Sequence, residues 1–197
     1  MSRIVGVDLS LTSTGIAIVD TATGLVTVHT VTSKPPTPAQ RAKAGITSLH
    51  ERIRRLDDIE RRLFEGPLFG HFDLAVIEAP SYGSSNGGKH ERSGLWWAVA
   101  CRLYDLIGVV AEVPPSNRMR YATGSGAADK DRVLAAVIRR YPEVPVDGND
   151  EADALVLAAM GARHLDQPIE ASLPAAHLAA MDRVEWPTVN AKTGALL

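Results

Sequence analysis

The chain has little of what would mark a disulfide-rich, membrane or zinc protein. Its single cysteine, Cys101, cannot form an internal disulfide, so a reduced cytoplasmic compartment is expected. No apolar run approaches the roughly 20 residues that span a bilayer, so no membrane association is expected. One cysteine and six scattered histidines do not make a zinc site. Internal repeats and low-complexity tracts are also missing.

The charge of the chain is nearly balanced, with 21 Lys and Arg residues against 23 Asp and Glu residues. A basic domain attracts phosphate over its whole surface, and this chain lacks such an excess. Its basic residues are clustered, however, and carboxylates that hold divalent cations no longer repel phosphate. Charge alone therefore neither favours nor excludes binding to nucleic acid. A length of 197 residues with 45% hydrophobic content fits one well-buried core.

The order of apolar patterns predicts the fold. Three short apolar or β-branched stretches open the chain, which indicates an antiparallel meander, and strands then alternate with helices. The predicted strands are 3–9, 14–19, 25–31, 73–78 and 108–113, the predicted helices are 39–64, 89–106, 129–141, 151–165 and 175–181, and a loop or short helix follows Pro114. This order matches an RNase H-like α/β fold, a five-stranded mixed sheet of three antiparallel strands followed by parallel strands, with helices on both faces. We expect a domain over 1–165 and a peripheral C-terminal extension over 166–197.

Two buried strands end in a carboxylate, at Asp8 and Glu78. An unpaired charge is costly in a low-dielectric site, so each needs a partner. If the two strands are neighbours, both carboxylates lie at one edge of the sheet. Taken singly, each is more simply explained as a loop cap or as the partner of an arginine.

A third acidic element lies at the start of a helix, where Asp150 and Asp153 are spaced i and i+3 and share one face. Either Asn149 or Asp150 can cap this helix. Acids near a helix N-terminus are commonly favoured by the helix dipole alone. Asp153, however, is followed directly by an apolar run, so its helix is expected to be packed and the acid to need a cation. Four such acids from three elements suit a pair of Mg²⁺ ions, which prefer oxygen ligands.

Four stretches, in order, resemble the conserved motifs of the RuvC-type Holliday-junction resolvases. They are Val5–Ser10 with Thr14–Ala17, Ala75–Glu78, the basic stretch Pro115–Val133, and Asp150–Leu155. Each motif alone is weak, but the ordered set spans most of the chain and is specific. The resemblance implies a metal-dependent endonuclease that resolves four-way junctions and related branched DNA by symmetric nicks, and that acts as a homodimer.

The resemblance also implies roles for individual residues. The metal ligands would be Asp8, Glu78, Asp150 and Asp153, holding two Mg²⁺ ions for which Mn²⁺ substitutes. Lys130 would contact the DNA backbone near the scissile phosphate or assist the chemistry. The main dimer contact would use the helix that carries Leu95, Trp96 and Trp97.

Six residues are candidates for nucleic-acid contacts: Tyr82, Lys89, Arg92, Arg118, Arg120 and Lys130. Arg120 falls where the family usually has a second lysine. Met119 stands where a lysine is common, which weakens the case for a phosphate-binding residue at that position. Ser81 takes the place of the family's aromatic wedge, with Tyr82 one residue later. Lys89 and Arg92 fit plain surface as well as DNA contact. The arginines of the helix over 39–64 alternate with acids, which favours a solvated face with internal ion pairs.

Three other functions fit parts of this pattern. A nuclease of the same fold acting on RNA–DNA hybrids or flaps shares every motif. A branched-DNA-binding protein without catalysis does not explain a complete acidic set. An ATP-binding module of the actin/Hsp70 type would need two such domains and a second phosphate loop. The nuclease hypothesis fails if Asp8 and Glu78 lie on opposite sides of the molecule, or if an arginine occupies Asp153 and leaves no room for an ion.

Overall fold

A computed structural model describes residues 1–34, 48–80 and 88–188. Five strands form one mixed sheet in the order β3-β2-β1-β4-β5. The strands are β1 (Arg3–Asp8), β2 (Ser13–Asp20), β3 (Leu25–Thr32), β4 (Leu74–Glu78) and β5 (Val110–Val113). The first three strands pair antiparallel, and β4 pairs parallel with both β1 and β5. The predicted sheet is confirmed.

The helices connect and cover these strands. They are α1 (Leu49–Phe64), α2 (Lys89–Ile107), α3 (Pro115–Thr123), α4 (Lys130–Arg140), α5 (Asn149–His164) and the short α6 (Ala175–Leu178), followed by a 3₁₀ turn at Met181–Arg183. The part of the helix predicted before residue 48 lies outside the described residues. After Pro114 the chain forms a helix rather than a loop, because Pro115 occupies its first position and Gly124 ends it in the left-handed region, at φ 79°.

Alternate side chains of the strands pack on opposite faces of the sheet, as the period of two in a strand requires. Ile4 and Val76 lie in one buried cluster with residues of α3, α4 and α5. Val5 and Ile77 lie in a second cluster with residues of α1 and α2. Helices therefore cover both faces, as predicted.

Helix α5 lies directly against β1 and β2, and two glycines allow this close approach. A Cβ on Gly6 would overlap the backbone of Ala154 and Ala158. A Cβ on Gly15 would overlap the carbonyl group of Asp150. Only a residue without a side chain fits at these points. The first turn of α5 is thereby held at the end of β1.

In its described part, up to residue 188, the segment after residue 165 packs against the rest of the chain. Glu170, Ala180 and Val184 are buried against the rest of the chain. Trp186 stacks on His164, with ring centroids 4.7 Å apart. These side chains complete the core on the α5 side of the sheet. No helix in the described ranges is long and apolar enough to cross a membrane.

Candidate active site

Asp8 and Glu78 lie side by side at one edge of the sheet. Strands β1 and β4 are parallel neighbours with Val7 opposite Ile77, so the residue that follows each of these is at the same end. In each strand the residues directly before the acid are buried, and the acid itself is the last, partly exposed residue. The first condition that would have contradicted the nuclease hypothesis is therefore not met.

The N-terminus of α5 brings the other two acids to this edge. Asp150 is adjacent to Gly15, which is itself paired with Asp8 across β1 and β2. Asp153 lies one turn further along the helix and is only 2% exposed. The predicted cap is wrong: the helix begins after Gly148, without a side-chain cap, and Asn149 and Asp150 belong to its first turn.

Glu151 fixes this end of α5. Its carboxylate accepts hydrogen bonds from the Thr30 hydroxyl at 2.9 Å and from the backbone N–H of Asp147 at 2.8 Å. These bonds tie the first turn of the helix to β3 and to the preceding loop, which helps to hold Asp150 in place.

Two of the acids have raised pKa values, chiefly because they are buried and also because other acids lie nearby. Burial, then the nearby charges of Glu78 and Asp153, raise the pKa of Asp8 to about 8. Burial also raises the pKa of Asp153 to about 6, although Arg118 and Lys130 act in the opposite direction. Lys130, at the first position of α4, is thus close enough to Asp153 to influence its ionisation.

Arg118 occupies the centre of this acidic cluster. Its Nε donates to Glu78 and its Nη1 donates to Asp153. The side chain is almost completely buried, with 6% of the residue exposed. Burial lowers the pKa of this guanidinium, but Glu78 and Asp153 outweigh that effect and raise it. Arg118 is therefore paired with the site's own acids, rather than exposed on a DNA-binding surface.

The second condition that would contradict the hypothesis had two parts: an arginine bound to Asp153, and no room left for an ion. The first part is met, because Arg118 binds Asp153. Among the described residues, no three His, Cys, Asp or Glu side chains are arranged as a ready metal site. The donor set nevertheless suits Mg²⁺, because it consists of carboxylate oxygens only. The four acids outnumber the two nearby cations, Arg118 and Lys130, so the site keeps carboxylate oxygens that a metal ion could bind.

Space for an ion and a substrate is present beside the acids. A cleft of about 610 Å³ is lined by Asp8 and Glu78 together with Lys89, Arg92 and Trp96. The basic side chains of Lys89 and Arg92 therefore line the same cleft as two of the acids. Arg120 is partly exposed on α3, and Tyr82 lies outside the described residues.

Trp96 connects α2 to the site. Its indole Nε1 donates to the backbone carbonyl of Glu78 at 2.8 Å. The next residue, Trp97, meets Trp96 edge to face with ring centroids 4.9 Å apart, and it is 63% exposed. One tryptophan thus supports the end of β4 and the other lies on the surface.

The Arg-rich face of α1 forms ion pairs, as expected. Arg61 pairs with Asp58 at 2.8 Å and with Glu65 at 3.1 Å, and Arg102 of α2 pairs with Glu60 at 3.0 Å. These charges are mutually compensated on a largely solvated surface.

The role of Arg118 was missed from the sequence, although a signal was there. Residues 117, 118, 121 and 122 share one face of α3, and that face carries Tyr121 and Ala122, which are buried. A charge on a buried helix face needs an opposite charge as its partner. In the structure its partners are Glu78 at the end of β4 and Asp153 in α5.

Known proteins with similar sequences support one family. The chain is 31% identical over 165 residues to "Crossover junction endodeoxyribonuclease RuvC" of Acidiphilium cryptum, covering 83% of this chain and 92% of that protein. It is 33% identical over 93 residues to the protein of the same name from Zymomonas mobilis, covering 47% of this chain and 55% of that protein. No family model matches the chain.

A solved structure has the same fold. The structure of Thermus thermophilus RuvC superposes with a TM-score of 0.51 at 18% identity, covering 84% of this chain and 97% of that one. This match shows the fold, and the Acidiphilium relative shows the family. The chain belongs to the RuvC family of crossover junction endodeoxyribonucleases.

Proposed function

We propose that this protein is a Mg²⁺-dependent endonuclease that resolves four-way DNA junctions by symmetric nicking. The observation that carries the proposal is the convergence of Asp8, Glu78, Asp150 and Asp153 from three separate elements. Two of these acids, Asp8 and Glu78, line an open cleft. Membership of the family supports this activity, because its named relatives are crossover junction endodeoxyribonucleases.

The four acids would hold the metal ions, with Mn²⁺ able to replace Mg²⁺. A pair of such ions, when bound, supplies an activated water and stabilises the leaving 3′ oxygen of the phosphodiester. The chain's own contribution is to fix the carboxylates at the ends of rigid elements, where burial and mutual repulsion favour cation binding. The single Cys101 suits a cytoplasmic enzyme.

The DNA would approach across the cleft. Lys130 is proposed to contact the backbone near the scissile phosphate, since it is exposed and lies close to Asp153. Lys89 and Arg92 line the cleft from the start of α2, and Arg120 adds positive charge on α3. Tyr82 is proposed as the junction wedge from its place in the sequence alone.

The active form is proposed to be a homodimer that pairs through α2. This helix exposes three large apolar or aromatic side chains: Trp97 (63%), Tyr104 (58%) and Leu106 (59%). Exposed apolar groups that share one helix favour contact with a partner. Two sites related by a twofold axis would cut opposite strands. The nuclease motifs all lie in 1–165, and the extension packs against that domain.

The decisive experiment offers the protein labelled four-way junction, flap, linear duplex and RNA–DNA hybrid, each with Mg²⁺. We expect paired nicks in the junction and little cutting of the duplex. Cutting restricted to the hybrid or the flap would assign another substrate within the same fold. Tight junction binding without any cleavage in Mg²⁺ or Mn²⁺ would indicate a non-catalytic binding protein.

A further inference from the structure

Arg118 is a buried cation in the middle of a site built for metal ions. It is bound to two of the four acids, Glu78 and Asp153, and the side chains of all three are at most 16% exposed. The other two acids, Asp8 and Asp150, form none of the ion pairs found in the described part of the chain. The carboxylates are thus divided between a pair that binds Arg118 and a pair that does not.

The backbone that delivers Arg118 is firmly held. The Asn117 side chain donates to the carbonyl of Ala180 at 2.8 Å, and the Tyr121 hydroxyl donates to Glu170 at 2.9 Å. Arg140 donates to the carbonyl of Ala122 at 2.7 Å. Helix α3 is therefore fixed on both sides of Arg118, and any movement of the guanidinium out of the site falls to its flexible side chain.

We propose that Arg118 competes with a divalent cation for Glu78 and Asp153, and so sets the metal concentration at which the site fills. The inference rests on the proposed function, because it presumes that these acids bind metal. A guanidinium and a metal ion need the same carboxylate lone pairs, and two cations in contact repel each other strongly at low dielectric. Before a metal ion binds, Arg118 stabilises the two ionised acids. When the metal ion binds, the guanidinium leaves them.

The test measures Mn²⁺ affinity by calorimetry and by electron paramagnetic resonance, without DNA. Arg118→Gln removes the competing charge, and we expect it to bind Mn²⁺ roughly tenfold more tightly, or at one additional site, because a contact ion pair in a buried setting opposes binding in the wild type. Arg120→Gln is the matched control, since it removes the same charge from the same helix at a residue outside these ion pairs. Its affinity should stay close to that of the wild type. Equal or weaker binding by Arg118→Gln would overturn the proposal.

A second measurement follows Arg118 itself in the wild-type protein. The guanidinium Nε–H signal in ¹⁵N spectra, assigned by its loss in Arg118→Lys, should shift away from its ion-paired position as Mg²⁺ is added. A signal that stays unchanged at saturating Mg²⁺ would show that metal and arginine bind together, contrary to the proposal.

The two proposals fail in different ways. If neither the wild type nor Arg118→Gln binds Mn²⁺, the metal-dependent function fails. If the wild type binds Mn²⁺ and cuts junctions while Arg118→Gln binds no more tightly, only the competition fails. Binding by Arg118→Gln alone would support competition in its extreme form.

Discussion

The carboxyl group of Asp8 lies where ionisation is least favourable in the described part of the site. Its pKa is raised to about 8 by burial and by Glu78 and Asp153, whereas an unfolded chain ionises it near 3.8. Between these values the folded state holds a proton that the unfolded state has released. The stability contributed by this proton is complete below about pH 4 and is lost as the pH rises through about 8.

We therefore predict a pH-dependent effect of Asp8→Asn on the metal-free protein. The asparagine cannot ionise, so the variant should gain stability over the wild type as the pH rises from about 4 to about 8, at about 1.4 kcal/mol for each pH unit. Urea unfolding in EDTA across this range measures the difference. Asp57→Asn, at an exposed position on α1, should show no such trend. A difference that is constant with pH would contradict the raised pKa.

The same substitution should abolish catalysis. Asp8→Asn is expected to reduce junction cleavage in Mg²⁺ by about 10³-fold or more, as the loss of a central catalytic group does in other enzymes. Junction binding should be kept, because removing a negative charge does not weaken contact with phosphate. Gel-shift and cleavage assays on one labelled junction separate the two effects. Cleavage near the wild-type rate would remove Asp8 from the site.

At the scale of elements, the close contact between β2 and α5 positions the acids. Gly15→Ala should destabilise the protein by about 3 kcal/mol, the upper end of the usual cost of overpacking, because the new methyl group meets the backbone of Asp150. Gly148→Ala is the control, since a Cβ there meets nothing within 4 Å. Thermal unfolding compares the two. Equal stability of both variants would mean that α5 is not seated as described.

The described part of the C-terminal extension braces α3 through one buried acid. Glu170 accepts hydrogen bonds from the hydroxyls of Tyr121 and Tyr141 and pairs with Arg163 at 3.1 Å. Glu170→Ala leaves all three groups without this partner and should cost about 3–5 kcal/mol of unfolding free energy. Glu185→Ala, at an exposed residue of the same segment, should change it by less than about 0.5 kcal/mol. Similar denaturation curves for the two variants would make the extension an appendage after all.

Much of this arrangement could be predicted from the sequence, because strands buried on both faces read as apolar runs. The i, i+3 spacing of Asp150 and Asp153 likewise follows from helix geometry alone. Arg118 could not be placed, since its partner acids are separated from it by 40 and 35 residues in the chain. The burial of Glu170 was missed for a similar reason: its segment has no periodic pattern, and its partners Tyr121 and Tyr141 lie far from it in the chain.

At the scale of the whole molecule, the exposed residues of α2 predict self-association. Trp97→Glu should weaken the proposed homodimer by roughly 30-fold or more, as expected for a central aromatic residue of an interface. Light scattering after size exclusion measures the mass. Phe69→Glu is the control, because Phe69 is 77% exposed but lies outside α2. A wild-type chain that is monomeric at all concentrations would contradict pairing through this helix.

The two adjacent tryptophans of α2 have a further consequence for such a pair. Trp96 holds the carbonyl of Glu78, while its neighbour Trp97 faces outward and touches it edge to face. A second chain seated on Trp97 would press on the very side chain that steadies the end of β4. The position of Glu78 would then depend, through Trp96, on whether a second protomer is bound. A protomer without its partner would cut less and would produce fewer single nicks.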